Sequence, residues 1–298
     1  MKKSIALFSL LIVLSLVLSA CGPRQTPPTD LLSAIKARGY ILVSTDPNYE
    51  PQSFLNTEGK RPANTKCPGD ALTAAEMQGF DVDVAIAVGQ ALGVETCFAT
   101  PSWDAITAGN WADKWDVSIG SMTITRERQK VLDFSIPYYY AKAMIAVHKD
   151  SGITSIDQLA GQALCVGTAT TYETWLNGQD LGFPPTSIYA QPPANVTVFA
   201  VETDQECAQA LAAGRKDFIG YVTSETVVDA NIEAGMPVTK LATVFAEELA
   251  AAFDKASSLS TETLRAEVNK IFEAMHNDGR LSQLSIKWFG VDLTQPPQ

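Results

Sequence analysis

The chain has 298 residues and sets 33 aspartates and glutamates against 22 lysines and arginines, a formal net charge of −11. An acidic surface of that size argues against nucleic acid or anionic lipid as a partner, and the length allows two modest lobes, each with its own core. With two histidines and no CxxC among five cysteines, neither a zinc site nor any other metal or cofactor is expected.

Lys2 and Lys3 open the chain, an apolar run follows from Ile5 to Leu18, and small residues precede Cys21. This is the pattern of an export signal over residues 1–20, and the run is too short and wrongly flanked for a transmembrane span. Leu18-Ser19-Ala20-Cys21-Gly22 resembles a bacterial lipobox, which implies cleavage before Cys21 and a diacylglycerol on its sulfur. Cleavage would remove Lys2 and Lys3 and take the formal charge from −11 to −13. The expected product is an extracytoplasmic, membrane-anchored lipoprotein, at the cell surface or in the periplasm. Residues 21–29 read as a proline-rich tether that need not fold.

Asp30–Tyr40 is predicted to form a short amphipathic helix stopped by Gly39, and Ile41–Thr45 a strand. Asp46-Pro47-Asn48-Tyr49-Glu50-Pro51 is then a turn, and 59–78 is a loop insertion, containing Cys67, with no assigned role. Gly79–Gly93 reads as a helix, with Val84, Val88 and Leu92 at helical spacing. Asp81 and Asp83 fall in its first turn, where acidic charge suits the helix dipole; this makes capping a better account of them than catalysis or metal binding. Trp103 is a candidate aromatic wall, with core packing as the alternative.

The stretch from Trp103 to Tyr140, WDAITAGNWADKWDVSIGSMTITRERQKVLDFSIPYYY, carries the most information. Asp116–Ile119 reads as a strand, Gly120 as a turn, and Ser121, Thr123 and Thr125 then present three hydroxyls. Thr125 can cap a helix whose first turn holds Arg126, Glu127 and Arg128. In α/β proteins ligands sit at the carboxyl ends of strands, and a guanidinium fork fits a carboxylate with two parallel hydrogen bonds.

The order W-D-x-I, D-V-S-I-G-S-M-T-I-T-x-E-R and F-S-I-P-Y-Y resembles the family 3 extracellular solute-binding proteins, the polar amino-acid receptors of ABC importers. The resemblance implies a two-lobed periplasmic-binding-protein fold of type II, each lobe a mainly parallel sheet flanked by helices. It places the ligand α-carboxylate on Ser121, Thr123 and Arg128, with Arg126 outside the site. The Asp46–Pro51 turn is similar to the family's D-P-x-Y-x-P loop, which carries Asp46 and Tyr49 into the cleft, and G-F-D-V-D-V at Gly79–Val84 is a further match.

Ala143–His148 and Ala163–Val166 read as strands of a second lobe, Ser155 and Gln158 as a capping box between them. Gly167-Thr168-Ala169-Thr170-Thr171-Tyr172-Glu173 leads into a helix capped by Thr170, whose free amides form an anion site. The family's loop puts its second threonine, here Thr171, on the ligand carboxylate. Val196–Val201, a helix opened by Thr203-Asp204-Gln205-Glu206, and Asp217–Val222 continue an alternation typical of a parallel α/β sheet. Phe245–Phe253 is expected to return the chain to the first lobe, and Thr263–Asn277 and Leu281–Trp288 to be helices. The organisation is therefore residues 30–139 with 248–298 as lobe 1, 140–247 as lobe 2, and a two-segment hinge near Tyr139 and Glu247.

Four cysteines besides Cys21 allow three connectivities. Cys67–Cys97 and Cys165–Cys207 are favoured, since each then falls within one lobe and leaves the hinge free. One departure from the family concerns the ammonium. Amino-acid-binding members place an aspartate eight residues after the glycine of G-R-x-D; after Gly214-Arg215-Lys216-Asp217 that position is Val222. Either Asp46 takes over the ammonium, or the ligand lacks an α-ammonium in the usual place. The expected function is a monomeric receptor delivering an amino acid or related small carboxylate to an ABC-transporter permease. A secreted dehydratase-like enzyme on the same fold is the alternative, opposed by the absence of GxSxG and of a histidine in the ligand loops. A ligand sensor domain, the third class, is disfavoured by the expectation that no membrane-spanning or kinase-like segment follows Gln298.

Overall fold

The computed structural model describes residues 27–297. The export signal, the lipidation site at Cys21 and most of the tether lie outside the described residues.

Asp30 caps a Leu31–Arg38 helix and Gly39 ends it in the left-handed conformation. Strands β1 (Tyr40–Ser44), β2 (Asn48–Tyr49), β3 (Ser53–Leu55), β4 (Leu72–Thr73) and β5 (Met77–Gln78) follow, then a Phe80–Leu92 helix and β6 (Glu95–Ala99). A short Trp103–Thr107 helix precedes β7 (Val117–Thr123), and a single turn, Arg128–Val131, leads into β8 (Leu132–His148). Then come β9 (Ala163–Gly167), the Thr171–Leu176 helix, β10 (Thr197–Val201), the Asp204–Ala212 helix, β11 (Gly220–Ser224), the Glu225–Glu233 helix and β12 (Val238–Asp254). Helices Glu262–Asn277 and Arg280–Phe289 close the fold. None of the helices among the described residues is long and apolar enough to cross a membrane.

One nine-stranded sheet runs in the order β10-β9-β11-β8-β12-β7-β1-β6-β4. At either side of its centre β1 pairs in parallel with β6 and β7, and β9 with β10 and β11, while the edge strand β4 is antiparallel to β6. The centre is an antiparallel ladder of β8 and β12, each 17 residues long. That ladder carries four register shifts, at Lys240/Ala242, Thr243/Phe245, Leu249/Ala250 and Ala250/Ala252. The apolar interior divides accordingly. Ile41, Val43, Phe80, Val88, Phe98, Val117, Phe253 and Phe272 pack one core; Ile145, Val147, Leu164, Val166, Val222 and Phe245 pack another. Each half holds one disulfide, Cys67–Cys97 in the first and Cys165–Cys207 in the second.

The element order follows the sequence pattern, but β12 begins at Val238 where Phe245 is expected, β4 and β5 fall within the expected 59–78 loop, and three further differences stand out. Strand β8 begins eleven residues before the expected Ala143, because antiparallel pairing with β12 overrides Pro137, whose missing N–H hides the strand from its local pattern. The Glu225–Glu233 helix was not read from the pattern. Strand β7 passes through Gly120, and the left-handed turn falls on Ser121, at φ 55°. The turn aims the Ser121 N–H at the Tyr138 hydroxyl, 2.9 Å away, so a buried hydrogen bond holds a backbone conformation a non-glycine residue rarely adopts.

Candidate functional site

A narrow cleft lies between the two halves. Asp46, Tyr49, Trp103, Ser121, Thr123 and Arg128 line it from the first half; Gly167, Thr170, Thr171, Tyr172, Glu202, Thr203 and Asp204 line it from the second. Its position at the carboxyl ends of β1, β7 and β9 is the one strand topology favours.

The first wall is built upon a buried carboxylate. Asp81 is fully buried and accepts hydrogen bonds from Ser121 Oγ at 2.6 Å and Tyr138 OH at 2.7 Å. The Tyr139 hydroxyl lies 2.6 Å from Ser121 Oγ. Burial raises the Asp81 pKa to about 7, against the two hydroxyls that lower it. Capping is therefore not its role: the helix begins at Gly79 without a side-chain cap, and Asp81 holds the strained Ser121. Asp83 instead accepts from Lys287 Nζ and Trp288 Nε1, pinning the last helix to this half.

Arg128, at 8% exposure, donates from Nη1 to the Thr123 carbonyl at 3.0 Å and from Nη2 across the cleft to the Ala169 carbonyl at 3.1 Å. Burial lowers its pKa to about 10, which leaves it charged at neutral pH. The Trp103 ring faces it, with 5.4 Å between guanidinium carbon and ring centroid. A guanidinium has five donors, so this one keeps capacity for an anion. Arg126 is exposed and pairs loosely with Asp180 at 3.6 Å.

The second wall rests on Asp204, which accepts from the Gly167 N–H and from Thr223 Oγ1, each at 2.7 Å. Burial raises its pKa to about 7; Thr223 and Gly167 lower it, and the neighbouring charges of Asp46 and Glu247 raise it. Asp46 is likewise raised by burial, with Glu202 and Glu206 adding to the effect and the Asn48 N–H opposing it. Thr170 Oγ1 accepts from the Glu173 N–H, while Glu173 turns back to the Ala169 N–H at 2.7 Å.

The halves touch across the cleft. Tyr49 OH and Tyr172 OH lie 3.2 Å apart, and Gln52 Nε2 donates to Thr226 Oγ1 at 2.6 Å. Between Thr123 of the first half and Thr171 of the second sits Glu247, from β12. Its Oε2 accepts from Thr123 Oγ1 at 2.5 Å and from Thr171 Oγ1 at 2.7 Å. Both hydroxyl hydrogens are thus directed at Glu247, where the family resemblance would direct them to a ligand carboxylate.

Of the expected site residues, Val222 stands apart. It is fully buried on β11, in the core with Ile145, Val166 and Phe245, and does not line the cleft. Asp204, which lines the cleft, and Glu247, which is bonded to its lining residues Thr123 and Thr171, are not among the site residues expected from the sequence. Asp204 was absorbed into the capping sequence of its helix. For Glu247 a signal existed: an acidic doublet in the apolar run Phe245–Phe253, where strand alternation turns one carboxylate inward and the other out. Glu247 is buried and Glu248 exposed. Among the described residues no group of three or more His, Cys, Asp or Glu is arranged to hold a metal ion.

Comparison with known proteins agrees with this geometry. The chain is 30% identical over 268 residues to the L-cystine-binding protein TcyJ of Escherichia coli K12, covering 89% of this chain and 88% of that protein. Its fold is similar to an ancestral arginine-binding protein bound to arginine, with a TM-score of 0.68 and 29% identity over 85% of this chain and 99% of the other. It is similar to the same degree, TM-score 0.69 and 29% identity over 87% and 99%, to the ancestral amino-acid-binding protein AncCDT-1, a precursor of cyclohexadienyl dehydratase. The model of the bacterial extracellular solute-binding proteins, family 3, matches residues 41–291, and the chain belongs to that family.

Proposed function

We propose that this protein is the solute receptor of an ABC importer and that its ligand is an α-amino acid carrying a second positive group. One observation carries the reading: a buried guanidinium with spare donors, Arg128, faces a cleft whose other charged lining residues, Asp46, Glu202 and Asp204, are acidic. Arg128 suits the α-carboxylate. The acidic end suits a cation, since burying a positive group without a counter-charge is expensive. Relatives named for L-cystine and histidine and a structure with bound arginine fit that chemistry.

Capture by closure follows from the two walls belonging to different halves. Residues 30–139 with 248–298 form one moving lobe and 140–247 the other, joined through β8 and β12, and Cys21 carries the lipid that keeps the receptor near its permease. Binding proceeds without turnover and the receptor acts as a monomer. A group titrating near pH 7 in a cleft would suit a general acid, which is the observation favouring a dehydratase-like reading. Asp204 is, however, held at both oxygens by Gly167 and Thr223, as a fixed counter-charge is.

Calorimetry with L-arginine, L-histidine, L-cystine and L-glutamate tests the proposal. The expected result is saturable binding of at least one of the first three and none of L-glutamate. Binding of L-glutamate alone overturns the cationic assignment, and turnover of a cyclic carboxylic acid overturns the receptor.

A further inference from the structure

In the family pattern a carboxylate on the second lobe receives the ligand's α-ammonium, and here that position is Val222, sealed in an apolar core. Four acidic side chains lie at the cleft or are bonded to its lining, Asp46, Glu202, Asp204 and Glu247, and of these Glu202 is exposed. Their surroundings separate them. In an α-amino acid the carboxylate and the ammonium are carried by one carbon atom, so their partners must be neighbours in the protein. Glu247 is the acidic group that acts on the Arg128 guanidinium; Asp46 and Asp204 are not among its charge partners.

Hydrogen bonding gives the same answer independently. Both Asp204 oxygens are engaged by protein donors, and Asp46 is partly buried with the Asn48 N–H on its Oδ1. Glu247 is 2% exposed, and burial raises its pKa against the hydroxyls of Thr123, Thr171 and Tyr172 and the charge of Arg128; its Oε1 has no hydrogen-bond partner within 3.5 Å among the described residues. A buried carboxylate oxygen without a donor is costly, and the two threonines bonded to the other oxygen of the same carboxylate line the cleft beside Arg128. The orientation of the two threonines completes the arrangement. Each gives its hydrogen to Glu247 Oε2, so each turns oxygen lone pairs, not a donor, to its other neighbours. Lone pairs beside an unpartnered carboxylate oxygen accept an ammonium with three donors; they do not suit a carboxylate.

We propose that Glu247, on the hinge strand, is the α-ammonium acceptor of this receptor, with Thr123 Oγ1 as its companion, in place of the aspartate that relatives carry at the position of Val222. The assignment rests on the amino-acid-receptor reading. It leaves Asp46 and Asp204 to the ligand's second positive group. It also makes ligand recognition and lobe closure one event, since Glu247 already ties a hydroxyl of each half.

The test uses the full mature chain, with calorimetry of L-arginine, L-histidine and L-cystine, each beside its counterpart lacking the α-amino group. The wild type should prefer the amino form by roughly 30-fold or more, the cost of leaving a buried charge partner unpaired. Glu247→Gln should erase that preference, while Asp46→Asn and Asp204→Asn keep it. If Glu247→Gln does not fold by circular dichroism, the other two variants decide: preference retained in both supports Glu247, and preference lost in either overturns it. A folded Glu247→Gln protein that still prefers the amino form also overturns it. If the wild type binds none of the three amino acids, the receptor reading fails first and this assignment with it.

Discussion

Each half of the molecule contains one buried aspartate near the start of a helix, and the two are used differently. Asp81 and Asp204 both have pKa values raised to about 7 by burial. Asp81 lies beneath the cleft, fully enclosed by Ser121, Tyr138 and their neighbours; Asp204 lies in its wall. A raised carboxyl pKa is therefore not by itself the mark of a ligand group. What separates the two is access. Asp81 spends its acceptors on fixing the strand end that presents Ser121, Thr123 and Arg128, whereas Asp204 keeps a face toward the space a ligand would fill.

The largest effect is expected where the first wall meets the ligand. Arg128→Ala removes a charge-assisted pair from a desolvated cleft at a cost of about 2–5 kcal/mol, roughly 30-fold or more in affinity. Titration of L-arginine into the variant measures it, and a loss of less than about threefold would detach the wall from ligand binding.

Next is the contrast between the two aspartates as structural groups. Asp81→Ala strands the Ser121 and Tyr138 hydroxyls in a sealed interior and should destabilise the fold by about 3 kcal/mol. Asp204→Ala leaves its donors beside a cleft that water can enter, and should cost about 1 kcal/mol. Urea unfolding of the two variants decides the order; equal losses would erase the distinction drawn above.

Proton linkage sharpens it further. Both carboxyls hold a proton in the folded protein up to about pH 7, while the unfolded chain releases it near the ordinary aspartate value of 3.8. Their contribution to stability is thus fully present below about pH 4 and is lost as pH rises through about 7. The unliganded protein should melt at a lower temperature at pH 8 than at pH 5, to the extent these two groups govern the slope. Of these two, only Asp204 faces a cationic ligand, whose binding stabilises its ionised form. Binding of L-arginine near pH 6 should therefore release protons, seen as a buffer-dependent calorimetric enthalpy, in the wild type and in Asp81→Asn but much less in Asp204→Asn.

Arg126→Ala should have the smallest effect. Its partner Asp180 is exposed and 3.6 Å away, and such pairs contribute about 0–1 kcal/mol. A large loss on Arg126→Ala with little on Arg128→Ala would move the anchor to the rim.

The sequence discloses the parts of this site that depend on local order. Arg128 follows a hydroxyl-rich strand end, Thr171 opens a capped helix, and Asp46 precedes a proline turn; all three are legible within a dozen residues and all three line the cleft. The remainder depends on distant chain segments. Asp81 resembles any first-turn aspartate until β7 is laid beside its helix. Glu247 gains its meaning from Thr123 and Thr171, more than seventy positions away in sequence. Strand β8 could be seen whole only with β12 against it, and the left-handed residue was Ser121 because Tyr138, not glycine chemistry, determines the turn.

The β8–β12 ladder also limits how the halves can move. Paired strands do not slide past each other, because a slip of one residue turns every side chain to the opposite face. The proposed closure is therefore a bend or twist about this ribbon, not a translation along it. Four shifts in its register, set between stretches of regular pairing, interrupt the ladder where such a bend would fall. A disulfide within each half stiffens the arms of that lever without crossing its fulcrum. Travel is then least at Glu247, within the ribbon, and greatest at the rim, where Arg126 meets Asp180. A probe pair placed at the rim would report closure with the longest stroke the molecule has.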